Sequence, residues 1–170
     1  MYHQFHKQMT KQLGQLDTML DMAEAFAKTK PFDPKVLLEL RLAPDQFSFV
    51  RQVQSACDTA KLAAARLTGK TAPSHPDTET TMAELHARLR SVISYLETFS
   101  AADYDGAAER LITTPRWEGE VMTGSDYLVE HALPNFFFHL NHAYAILRHS
   151  GVDVGKRHYL GAISRKKPGT

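Results

Sequence analysis

Cysteine occurs once in this chain of 170 residues, at Cys57, so no intramolecular disulfide can form and no thiolate cluster can hold a metal. That usage fits a reducing compartment, and Cys57 itself reads as a small core residue. Long apolar runs are missing as well, since nothing approaches the roughly 18 uninterrupted apolar residues that a membrane span requires. An excess of either charge is also missing. The 20 basic and 19 acidic residues mix to a formal net charge of +1, which leaves no field that would attract nucleic acid. The opening residues, Met1 to Lys7, carry neither the apolar core nor the small-residue cleavage site of a secretory signal, so the expected location is cytoplasmic. There is no Gly-rich phosphate loop, nucleophile elbow or Cys-His pair. No histidine lies between His6 and His75.

What is present is apolar periodicity. The apolar fraction of 43% and the length suit one domain, residues 1–170, with a single core; its last residues, 162–170, form a short basic tail expected to be mobile. Phe5, Met9, Leu13, Leu16, Leu20, Ala23 and Ala27 mark one face of a first helix, which ends before the prolines at 31 and 34. Residues 36–42 form a short helical turn or a crossing connection. Pro44 and Asp45 suit the opening of a second long helix, with Phe49, Val53, Ala56, Ala60, Ala63 and Leu67 inward and Gly69 as its stop. The alanines there allow a close helix neighbour. After a proline-containing loop, Met82, Leu85, Leu89, Val92, Leu96 and Phe99 mark a third helix. Residues 109–124 suggest a small hairpin, with Pro115 and Gly119 disturbing its register. Ser125 and Asp126 are candidate caps for a last helix that must kink or restart at Pro134. The pattern predicts an all-α antiparallel four-helix bundle with a small β-hairpin or irregular insertion before the last helix.

Chemistry concentrates in the run from Leu133 to His149. At about 100° per residue, Phe136, Leu140, Ala143, Tyr144 and Leu147 share the inward face of the last helix. His139 stands at the edge of that face, whereas His142 and His149 turn toward solvent. His139 and His142 have i, i+3 spacing, but a catalytic metal needs further donors from other helices, and the second helix has no imidazole. His3 and His6 flank the start of the first helix, where histidines are ordinarily solvated; an edge position leaves His6 a remote route to the last helix. Asp17, Asp21, Glu24, Asp58, Glu84 and Glu97 fall on polar faces and form no convergent pair.

The segments Ser125 to Leu128, Ala132 to His139, Ala143 to Val152, and Gly155-Lys156-Arg157 with Tyr159-Leu160-Gly161 resemble the bacterial family DUF1993. Upstream, Leu42 to Asp45, Arg51 to Gln54, Ala56-Cys57-Asp58 and Ala60-Lys61 are similar to it too. That family is similar to the wider DinB and YfiT-like group, four-helix bundles in which three histidines commonly hold a divalent metal. The resemblance implies a DinB-like fold and places those ligand positions near Gln52, at Asn135 and at His139, so only one imidazole of three is retained. Amides are poor substitutes for imidazole at a transition-metal site, although they hydrogen-bond small polar ligands.

The functional expectation is therefore a non-catalytic or small-ligand-binding bundle with a degenerate metal site, its ligand residues being Gln52, Asn135 and His139. No cofactor is expected and a divalent metal is disfavoured. Partners are a second copy in a homodimer and a small polar ligand, with neither nucleic acid nor membrane. The competing reading is a metal-dependent hydrolase or transferase whose altered ligand set includes His139, the best single metal candidate, with His142 or His6 as weaker ones.

Overall fold

The computed structural model describes residues 1–167. Four long helices form the bundle: α1 (Tyr2–Lys28), α3 (Phe49–Thr68), α4 (Met82–Glu97) and α6 (Leu133–His149), with the short helices α2 (Lys35–Leu38), α5 (Gly124–Asp126) and α7 (Lys156–Leu160) between and after them. The most extensive packing is α3 on α6, followed by α1 on α4 and α3 on α4. Every inward position of α3 and α4 named above is buried, and the α3 alanines 56, 60, 63 and 64 are at most 3% exposed, with 60, 63 and 64 beside Tyr2, His6 and Met9 of α1. Cys57 is fully buried in the same layer, and burial pushes its thiol up to about 12. No helix among the described residues is long and apolar enough to cross a membrane.

Helix boundaries follow local chemistry. The second long helix begins at Phe49 after Ser48, not at Pro44–Asp45, because residues 41–47 form turns and the Phe49 amide donates back to the Leu40 carbonyl. It stops at Gly69, whose left-handed φ of 73° glycine adopts without steric cost. Helix α4 opens on a capping box in which Thr81 Oγ1 accepts from the Glu84 amide while Glu84 reaches back to the Thr81 amide.

The loop between α3 and α4 is held by ion pairs between side chains. Arg88, with a side chain only 1% exposed, donates to Asp58 (2.7 Å) and Glu79 (2.9 Å) and lies 3.0 Å from Asp77. Lys61 pairs with Asp58 at 2.8 Å and meets His75 Nδ1 at 3.0 Å.

The expected hairpin is present in minimal form. Strands β1 (Leu111–Ile112) and β2 (Met122–Thr123) pair antiparallel, Leu111 opposite Thr123 and Ile112 opposite Met122, and a 3₁₀ turn at Pro115–Trp117 forms its tip. Only Ile112 of the first strand is buried. The hairpin closes onto Gly124, where any β-carbon would sit 1.8 Å from the Ala107 carbonyl oxygen. Thr123, one residue before that glycine, is the actual cap, its hydroxyl accepting from the Asp126 amide; Ser125 and Asp126 do not fill that position.

Pro134 leaves the last helix unbroken. Residues Tyr127–Ala132 widen into a π-helix, with the Leu133 amide donating to Leu128 five residues back, and α6 continues directly. Proline has no amide donor and crowds the carbonyl one α-turn earlier, so the wider turn relieves both faults.

At the carboxyl end, Lys11 Nζ donates to the Ala162 carbonyl (2.5 Å), which ties the first residue of the expected basic tail to α1. Residues 168–170 of that tail lie outside the described residues.

Candidate functional site

A cleft of about 360 Å³ opens between α3, the π-helix with α6, and the hairpin tip. The α3 wall is a polar row at helical spacing, Arg51, Ser55, Asp58, Thr59 and Arg66, interrupted by Leu62. Opposite it stand Tyr127, His131, Asn135 and His139, each four residues from the next. In a uniform α-helix each four-residue step overshoots a turn by about 40°, so three steps would carry His139 about 120° away from Tyr127. The π-helix takes more residues per turn and cancels part of that drift. The π-turn that accommodates Pro134 thus helps keep four side chains on one wall.

His139 is the best-defined polar group there. It is 9% exposed, and its Nδ1–H donates to Gln52 Oε1 at 2.8 Å. Gln52 is oriented in turn, since its amide nitrogen donates to the Phe47 carbonyl at 3.3 Å. The order carbonyl, amide, imidazole leaves His139 Nε2 as the bare acceptor nitrogen. Burial, followed by the nearby charges of His142 and Arg51, pulls the His139 pKa down to about 4. The ring is therefore neutral at physiological pH. Phe47 lies parallel to it, 9° between planes and 6.2 Å between centroids, with the Arg51 guanidinium 5.6 Å from the Phe47 ring.

Asn135, one turn before His139, donates from its amide nitrogen to Thr59 Oγ1 at 2.8 Å. At the other end the walls are aromatic. His131 stacks on Tyr127 and meets Trp117 edge-on, both at 5.3 Å, while Arg66 Nη1 donates to the Tyr127 hydroxyl at 3.1 Å. Burial and Arg66 lower the His131 pKa. Arg66 and Arg116 line this end without an ion-pair partner among the described residues, whereas Arg51 is paired with Asp77. Asp58, the one acid among the lining residues, is held by Arg88 and Lys61.

The ligand positions implied by the resemblance thus come together unequally. His139 and Asn135 line the cleft, but Gln52 is fully buried behind His139 and does not line it. Gln52 and His139 satisfy each other, and Asn135 turns its amide nitrogen to Thr59, so this donor set does not fit a metal held at those three positions. His142 is only half-buried, its Nδ1–H donating to the Phe138 carbonyl at 2.6 Å. His6, expected in solvent, is 7% exposed: its Nε2–H donates to the Leu96 carbonyl (2.8 Å) and its Nδ1 accepts from the Tyr104 hydroxyl (2.5 Å). Burial lowers its pKa, and neither ring nitrogen is spare. It faces α4 and the 3₁₀ turn after it, not α6.

Sequence reasoning missed Arg66, Trp117, Tyr127 and His131. Their signals were the polar row along α3 and the four-residue step from His131 through Asn135 to His139, the latter obscured by the irregular turn ahead of Pro134.

The family model described as "Domain of unknown function (DUF1993)" matches residues 1–160. No curated protein gives a significant match. Among solved structures, a crystal structure of a DinB family member protein from Shewanella denitrificans is 55% identical, covering 96% of this chain and 93% of that one, with a TM-score of 0.92.

Proposed function

Since the chain belongs to the DUF1993 family and has the bundle of a DinB family member, we propose that it is a small-molecule-binding protein whose ligand occupies the cleft between α3 and α6. The observation that carries the reading is the bare Nε2 of His139: a buried, neutral imidazole, locked in one tautomer, on the wall of a cleft large enough for a small ligand. It accepts a hydrogen bond from a ligand hydroxyl or amide. Arg66 and Arg116 attract an anionic group at the other end, and Phe47, Trp117 and Tyr127 cover an apolar body between them.

Binding is favoured over catalysis because Asp58, the one acid among the lining residues, is held by Arg88 and Lys61, while His131, the second imidazole of the wall, packs against Tyr127 and Trp117 two four-residue steps from His139. The metal-dependent alternative, with His142 or His6 as additional ligands, lacks convergence. A homodimer in the cytoplasm remains part of the proposal, and light scattering at micromolar concentration giving the monomer mass would remove the dimer.

Trp117 is the single tryptophan and lines the cleft, so its fluorescence reports occupancy. Titration with small aromatic hydroxy-acids should give a saturable change that is weakened by His139→Ala and by Arg66→Gln. A flat response across such a panel, with no amide shifts at Asn135 or His139 by NMR, would sink the proposal.

A further inference from the structure

We propose that Asp21, Glu24 and His86 form a divalent transition-metal site joining α1 to α4, with Zn²⁺ the cation whose ligand chemistry fits best. Asp21 and Glu24 are one helical turn apart on α1, and His86 faces them from α4; one donor atom from each lies within 4.8 Å of the others. The site is outside the cleft, which none of the three lines.

An acidic cluster alone would carry little weight, but His86 adds an independent observation. It is 7% exposed, and its Nε2 is sealed from solvent without a hydrogen bond, 3.5 Å from Asp21 Oδ1. Its Nδ1–H donates to Asp17 Oδ1 at 2.5 Å, and the other oxygen of Asp17 accepts from Arg90 Nε at 3.4 Å. A carboxylate on one imidazole nitrogen fixes the tautomer and makes the other nitrogen a stronger donor to a metal. Tetrahedral zinc with ligands at about 2.1 Å has a ligand-to-ligand edge of about 3.4 Å. The Asp21–His86 separation already matches that edge. Among the described residues Glu24 has no hydrogen bond or ion pair, and Asp21 is exposed, so both carboxylates can close on an ion while water takes the remaining position. One imidazole with two carboxylates favours zinc over magnesium, which prefers an all-oxygen octahedron.

The test is calorimetric titration of the untagged, chelator-treated full chain with Zn²⁺, alongside the thermal midpoint. One equivalent should bind saturably and raise the midpoint, and Mg²⁺ should do neither. The double variant Asp21→Asn with Glu24→Gln should keep its metal-free midpoint and lose at least about tenfold in Zn²⁺ affinity. His139→Ala should bind Zn²⁺ as the parent does, which separates this site from the cleft. Absence of saturable binding overturns the proposal. So does binding that survives the double variant or vanishes with His139→Ala.

Discussion

Two buried imidazoles on opposite sides of the bundle differ in one partner. His139 gives its Nδ1–H to the neutral amide of Gln52, and His86 gives its own to the carboxylate of Asp17. A neutral acceptor leaves burial unopposed, so His139 is held uncharged and its second nitrogen offers a lone pair to a ligand donor. A carboxylate compensates positive charge, so the face around His86 favours a cation. The residue behind a histidine therefore decides what the front of the ring can do.

The largest effect should come from removing what ties the two regions together. Arg88 follows His86 by two residues on α4 and reaches Asp58 on the cleft wall. Arg88→Met should cost about 3–5 kcal/mol, because Asp58, Asp77 and Glu79 lose their shared cation, and urea unfolding measures the loss. A cost near zero would show that the ionic loop does not organise either region.

Acid should act next. The His139 pKa is about 4 in the folded state against about 6.5 unfolded, so the unfolded chain takes up the proton first. The stability gained by burying the neutral ring is complete above about pH 6.5. It is lost as pH falls toward 4, on the order of 3 kcal/mol, with His6 acting in the same direction. Unfolding curves across that window should show the decline, and His139→Gln should make it shallower; a parent profile already flat would contradict a neutral, buried His139.

Gln52→Glu gives His139 a carboxylate partner like that of His86. Its pKa should rise by at least about one unit, read from the imidazole proton resonances. An unmoved titration would mean that the partner does not set the ring's charge. The smallest effect belongs to Thr81→Ala, which removes half the capping box of α4 at a cost of about 1 kcal/mol. Both histidine environments should be unchanged in its spectra.

Much of the fold was legible because a helix buries one face, and the inward rows of α1, α3, α4 and α6 follow from spacing alone. Helical phase likewise turns His139 further inward than His142, which is half-buried. It failed at Pro44–Asp45, where a turn delays α3 to Phe49, and at His6, which the 3₁₀ turn carrying Tyr104 covers. Asp17, Asp21 and Glu24 were visible as a polar row on α1, but nothing in the chain said that His86 would lie against them.

The sequence by itself determined which faces turn inward, that Pro134 must disturb the last helix, and that one imidazole leans into the bundle beside an asparagine. Tertiary structure alone decided that α3 pairs with α6 and α1 with α4, that a π-helix absorbs the proline and aligns Tyr127 with His139, and that Gln52 stands behind His139 while Asp17 stands behind His86. Helical periodicity specifies the direction of a side chain about its own axis. Which group meets it there depends on the packing of segments distant in the chain, and no local spacing encodes that.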